Sequence, residues 1–244
     1  MPQPMEKWST AEGGLALRFD GSASGERNMQ LDAAMLGSVE TVAAIAPLLR
    51  FYSWRPAAIS LGHHQDAAEL DLDRARRDGY EVVRRPTGGG AVLHANELTY
   101  AFAARWRWPA KGRRVRDAYG AVADALVAAL RQFGVPAERG GAGGHHQALC
   151  FARAQAHEIH VGGKKLIGSA MRAGRSGFLV HGSVLCGPEH RRLAAYARHA
   201  EGELTGRTTD LVELGLDAGE REKLCVSIAD ALSSAWSEEA MAAE

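Results

Sequence analysis

The chain reads as an α+β protein, a mixed, largely antiparallel sheet with packed helices. Three observations carry that reading. Short apolar runs with alternating polarity outnumber stretches with helical spacing. Neighbouring runs are joined by short turns, and the pair Gly162-Gly163 between two alternating runs is a hairpin signal, because both turn positions need positive φ. Elements also follow each other closely, with no repeat and no low-complexity linker in 244 residues. A single domain over residues 1–244 is therefore expected, with a core of about 14–240.

The elements follow in order. Residues 28–36 have helical spacing, with Met29, Ala33 and Leu36 on one side. Residues 48–54 alternate, are rich in aromatics, and end at Arg55-Pro56, as a strand does. Residues 58–61 form a second short strand closed by Gly62. Residues 71–78 predict a charged helix stopped by Gly79. Residues 80–83 predict a strand entering a glycine run, and residues 98–103 a strand leaving it. Residues 116–133 form the clearest helix, with Tyr119, Val122, Ala123, Leu126, Leu130 and Phe133 on one face and Gly134 then Pro136 beyond its end. After a loose glycine-rich stretch at 140–144 come the hairpin strands 158–161 and 164–167 and a strand over 178–185. A terminal helix over 220–236 buries Leu224, Ile228, Leu232 and Ala235.

Bulk properties exclude several classes. The formal net charge is +0 and aromatics make up 7% of residues, so no nucleic-acid or membrane-surface partner is implied. No apolar run has the length a bilayer requires, and residues 1–11 lack an apolar signal core. The three cysteines, Cys150, Cys186 and Cys225, form no CxxC pair. A disulfide framework or zinc ribbon is not expected, and a reducing cytoplasm fits best. His145, His146 and Cys150 lack a metal-site spacing, so no metal is assigned.

The most informative segment is Arg84-Arg85-Pro86-Thr87-Gly88-Gly89-Gly90-Ala91-Val92-Leu93-His94. Three consecutive glycines between strands forgo side-chain packing and let backbone N–H groups approach a ligand. Such amides suit a phosphate, a carboxylate or a developing oxyanion. A plain tight loop is the competing reading. Neither a Walker A nor a dinucleotide-binding glycine pattern is present.

Five ordered motifs resemble the lipoate–protein ligase and octanoyltransferase superfamily. They are Asn28-Met29-Gln30-Leu31-Asp32; Phe51-Tyr52-Ser53-Trp54 followed by Ser60-Leu61-Gly62-His63-His64-Gln65; the glycine segment; Gly163-Lys164-Lys165-Leu166-Ile167-Gly168-Ser169-Ala170-Met171-Arg172; and His181-Gly182-Ser183-Val184-Leu185. The resemblance spans about residues 14–186. The resemblance implies a biotin/lipoate ligase catalytic-domain fold. It also implies a substrate site built from Arg84, Arg85, Thr87, Gly88, Gly89, Gly90, His94, Gly168, Ser169, Ala170 and His181, with Lys165 as the catalytic lysine.

Two branches of the superfamily differ in chemistry. Ligases activate lipoate with ATP and magnesium. Octanoyltransferases need no cofactor; they take octanoate from acyl carrier protein onto a cysteine and pass it to a carrier lysine. Glu97-Leu98-Thr99-Tyr100 resembles the cysteine-dependent (LipM-type) transferases, as does Cys150 ahead of the lysine hairpin. Gly90 resembles the ligases instead, whereas His63 stands where ligases often carry arginine. The transferase branch implies Cys150 as nucleophile, and a nearby ammonium such as that of Lys165 would favour its thiolate. It implies acyl carrier protein as donor and a lipoyl domain as acceptor, such as glycine cleavage H protein or a 2-oxoacid dehydrogenase E2 subunit. A ligase, or a non-catalytic acyl- or adenylate-binding homologue, is the alternative. Cys186 and Cys225 read as structural, one ending a strand and the other within a helix.

Overall fold

The computed structural model describes residues 8–10, 14–106, 114–140, 157–198 and 206–237. In chain order the elements are β1 (Ser9–Thr10), β2 (Ala16–Ala23), α1 (Gly25–Thr41), β3 (Leu48–Trp54), β4 (Ala58–Leu61), α2 (Leu72–Arg77), β5 (Glu81–Arg84), β6 (Val92–His94), β7 (Glu97–Arg105), α3 (Arg114–Gln132), β8 (Ala137–Arg139), β9 (Ile159–Val161), β10 (Lys164–Ala173), β11 (Gly177–Leu185) and α4 (Ala218–Ala235). A 3₁₀ segment, Pro188–Tyr196, follows β11. Among the described residues no helix is long and apolar enough to cross a membrane.

The strands form two sheets where the sequence suggested one. The larger has the order β1-β2-β3-β7-β11-β10-β9-β8, and the smaller β5-β4-β6. The split falls at Arg55-Pro56, a cis bond, directly after β3. Proline has no N–H to continue a ladder, so the next strands pair among themselves. Most pairings are antiparallel, but β2–β3 and β4–β5 are parallel. Each parallel pair has a helix between its strands, α1 in one and α2 in the other, which is the crossover that parallel pairing needs.

Alternation along β7 sorts the cores. Tyr100, Phe102 and Ala104 enter the main core, with buried residues of α3 and α4 such as Val122, Leu126, Ile228 and Leu232. Ala101 and Ala103 face the other way, toward Met35 and Val39 of α1. The small sheet has its own core with Leu72 and Ala75 of α2 and Leu193 of the 3₁₀ segment. Ser24 caps α1 by accepting from Arg27 N at 3.2 Å, and the Glu81 carboxylate accepts from Gly25 N and Glu26 N at 2.7 and 3.1 Å. Thus β5 fixes where α1 begins.

Candidate functional site

A narrow, mostly apolar cavity lies between the two sheets. Tyr52 and Trp54 of β3, Thr99 of β7, His181 and Ser183 of β11 and Gly168 and Ala170 of β10 line it from the large sheet. Ser60, Val92 and His94 line it from the small sheet, and Met29 of α1 and Arg85 also reach it. The indole of Trp54 stacks on the His94 imidazole, with centroids 3.9 Å apart.

The glycine segment is held by arginines turned onto backbone. Arg85 is buried; its Nη1 donates to Ser60 O at 3.0 Å, and its Nη2 donates to Gly88 O and Gly90 O at 2.7 and 2.8 Å. Arg84 Nη1 donates to Gly62 O at 2.5 Å and Gln65 O at 3.0 Å, drawing in the neighbouring turn. That turn touches the glycine run so closely that a Cβ on Gly62 would stand 1.9 Å from Gly89 O. Gly89 itself has φ +96°, a conformation L-residues rarely adopt. In this geometry Arg85 shapes the loop through its carbonyls while its side chain borders the cavity.

Two histidines stitch the sheets together. His94 Nδ1 donates to Glu97 Oε1 at 3.1 Å, and its Nε2 accepts from Ser60 Oγ at 2.8 Å. The same Glu97 oxygen accepts from Thr99 Oγ1, which in turn accepts from Trp54 Nε1 at 2.8 Å. Glu97 Oε2 has no hydrogen-bond partner among the described residues. Burial, opposed by Glu97, holds the His94 imidazole below the usual histidine range, so its neutral form prevails. The second seam runs from Thr87 Oγ1 to His181 Nε2 at 2.6 Å and from His181 Nδ1 to Asp32 Oδ2 at 2.8 Å. Asp32 also accepts from Tyr52 OH and Arg50 Nη1, both at 2.7 Å. Burial, with Asp32 alongside, pushes the Tyr52 phenol well above its ordinary value.

The lysine hairpin forms as the sequence predicts: Gly162 and Gly163 have φ +55° and +75°, and His160 stands opposite Lys165. Ile159 and Val161 enter the main core, so His160 and Lys165 project from the other face, where His181 and Ala170 line the cavity. The Lys165 ammonium is buried in an ion pair with Glu158 Oε1. Glu158 Oε2 lies 3.8 Å from His160 Nε2. Neighbouring Lys164 is half exposed and pairs with Glu213 at 2.7 Å.

Of the site residues expected from the sequence, Arg85, His94, Gly168, Ser169, Ala170 and His181 converge on the cavity. Thr87 is buried behind it as the anchor of His181. Arg84, Gly88, Gly89, Gly90 and Lys165 are not among its lining residues. Cys150, His145 and His146 lie outside the described residues. Cys186 and Cys225 are buried, and burial pushes both thiols up to about 12, so neither offers a thiolate at neutral pH. Sequence reading missed Glu158, Asp32 and Arg50 as site elements. Asp32 was visible inside the first motif, but its partners at positions 50, 52 and 181 are remote in sequence.

Fold and cavity together define an α+β domain with a small, half-open cavity between its sheets, whose surface is mostly apolar with several polar side chains around it, a form common to small-molecule and cofactor sites. The chain belongs to the lipoyl protein ligase A/B catalytic domain family, whose model matches residues 24–216. It is 38% identical over 188 residues to octanoyltransferase LipM of Moorella thermoacetica, covering 75% of this chain and 66% of that protein. It is 38% identical over 175 residues to the protein of the same name in Symbiobacterium thermophilum, covering 68% of this chain and 62% of that one. The matched stretch thus spans about two thirds of these relatives, 66% and 62% of their lengths. The fold is shared with a lipoate-protein ligase A bound with ATP (TM-score 0.72, 21% identity, 90% of this chain and 84% of that one). It is also shared with a putative lipoate protein ligase from T. acidophilum with bound lipoic acid (TM-score 0.70, 20% identity, 90% and 84% covered).

Proposed function

We propose that the protein transfers an octanoyl group from acyl carrier protein to the lysine of a lipoyl domain through a thioester on Cys150. The observation that carries this reading is a half-open cavity with mostly apolar surface on the sheet face that bears Lys165. The octanoyltransferase relatives support it. The cavity takes the alkyl chain. The Cys150 thiolate attacks the donor thioester carbonyl, the carbonyl oxygen gains negative charge, and on collapse the carbon–sulfur bond to the carrier breaks and the carrier leaves as a thiolate. The acceptor amine then attacks the new thioester, a proton is lost from nitrogen, and Cys150 is released as the amide forms. Lys165 donates to the oxygen that becomes negative in both halves.

This route needs no cofactor and suits a reducing cytoplasm in which Cys150 stays a thiol. The ligase reading would add ATP and magnesium. The octanoyltransferase relatives favour the transfer reading over it. One assay decides. Acylation of a lipoyl domain is followed by mass spectrometry, with octanoyl-acyl carrier protein or with lipoate plus ATP as donor. Transfer from the carrier protein, an octanoyl adduct on Cys150 and an inactive Cys150→Ser are expected. Transfer only with ATP, undiminished in Cys150→Ser, would overturn the reading.

A further inference from the structure

We propose that Glu158 is a positioning residue for acyl transfer, acting through Lys165 by holding its ammonium at the site. The inference rests on the octanoyl-transfer reading, under which Lys165 meets the reacting carbonyl oxygen.

The backbone of Lys165 is fixed from outside the hairpin. Its N–H donates to Arg207 O at 2.9 Å, and its carbonyl accepts from Thr209 N at 3.0 Å. The β9–β10 register shifts between Lys165 and Ile167, so the strand is irregular at this residue. Beyond Cα, however, a lysine is a flexible four-carbon stem with a rotating ammonium. The Glu158 carboxylate supplies what the backbone lacks. Side-chain exposures of 2% for Lys165 and 1% for Glu158 leave water little part in the pair. An ammonium has three donors, and the one that Glu158 Oε1 accepts constrains the direction of the head group.

The pair also sets the kind of help Lys165 gives. A buried lysine beside a buried carboxylate is neutral as a unit, so its effect on the oxyanion is mainly that of an aimed N–H donor. Aim depends on geometry more than distant charge does. The second carboxylate oxygen faces His160 Nε2, which has no hydrogen-bond partner among the described residues. His160 stands across the ladder from Lys165, so the three groups form one cluster at the start of β9.

Two variants separate aiming from packing. Glu158→Gln keeps the shape and loses the charge; Glu158→Asp keeps the charge and loses reach. A packing role ranks Gln above Asp, and an ion-pair positioning role ranks Asp above Gln. With octanoyl-acyl carrier protein and a lipoyl domain, kcat is expected to fall about 10-fold in Glu158→Asp and about 100-fold in Glu158→Gln, with KM for the lipoyl domain unchanged. Gln equal to or better than Asp, or a rise in KM in place of the fall in kcat, overturns the proposal. Should Glu158→Gln fail to fold, Glu158→Asp alone decides by the same split between kcat and KM. The wild type is run in parallel with lipoate and ATP. If it works only there, the octanoyl-transfer reading fails, and the Asp-over-Gln ranking is then read in that reaction.

Discussion

The glycine segment and the lysine hairpin both bring cations to one domain, and they use them in opposite ways. Arg85 turns its charge onto the carbonyls of Ser60, Gly88 and Gly90, so it fixes the shape of a loop. Lys165 turns its charge onto the Glu158 carboxylate, on a strand whose backbone other segments already hold. In the first case the guanidinium is scaffold and the backbone is presented. In the second the backbone is scaffold and the ammonium is held in a buried ion pair. Positive charge near a site thus says little until its acceptors are known.

The contrast breaks most sharply at Lys165. Lys165→Met removes the ammonium that pairs with the buried Glu158 carboxylate and should cost about 3–5 kcal/mol in urea unfolding. Adding Glu158→Gln should restore much of that stability but none of the transfer. Arg85→Met comes next, removing charged donors from three carbonyls, for about 2–3 kcal/mol by the same measurement. Gly62→Ala should cost about 1–3 kcal/mol, because its methyl meets backbone that cannot rotate away; a lowered Tm checks it.

The pH dependence is smaller. Burial depresses the His94 pKa in the folded state, so below about 6.5 the unfolded chain binds a proton that the fold refuses. Stability is therefore expected to fall as pH drops through about 6.5, by at most roughly 1.4 kcal/mol per unit from this group. Melts of wild type and His94→Gln between pH 7.5 and 5 should converge at the acid end, where the wild type has lost its advantage. The smallest effect belongs to Lys164→Ala. Its partly exposed pair with Glu213 is worth no more than about 1 kcal/mol, and transfer should be unchanged.

Much of the fold was legible because it rests on local rules. β3 ends at Arg55-Pro56 and β4 at Gly62, as those residues indicate, and the Gly162-Gly163 turn sets its own register. What escaped was half-exposed or very short. β2 shows no clean alternation of burial, and β6 is three residues inside the glycine segment. Glu158 left a faint signal. The hairpin register places His160 opposite Lys165, so a carboxylate two residues earlier shares that face. The irregularity at Lys165 kept the contact itself from being counted off.

By itself, the sequence determined the α+β class, the order of most elements, the hairpin and the lysine on it, because periodicity, turn chemistry and ordered motifs are properties of neighbouring residues. Only the tertiary structure decided that the strands form two sheets, that Arg85 faces its own loop, and that His94 and His181 join those sheets across a cavity. It alone paired Lys165 with Glu158. Which acceptor a buried charge meets depends on segments brought together by packing, and desolvation forces each such charge to find one.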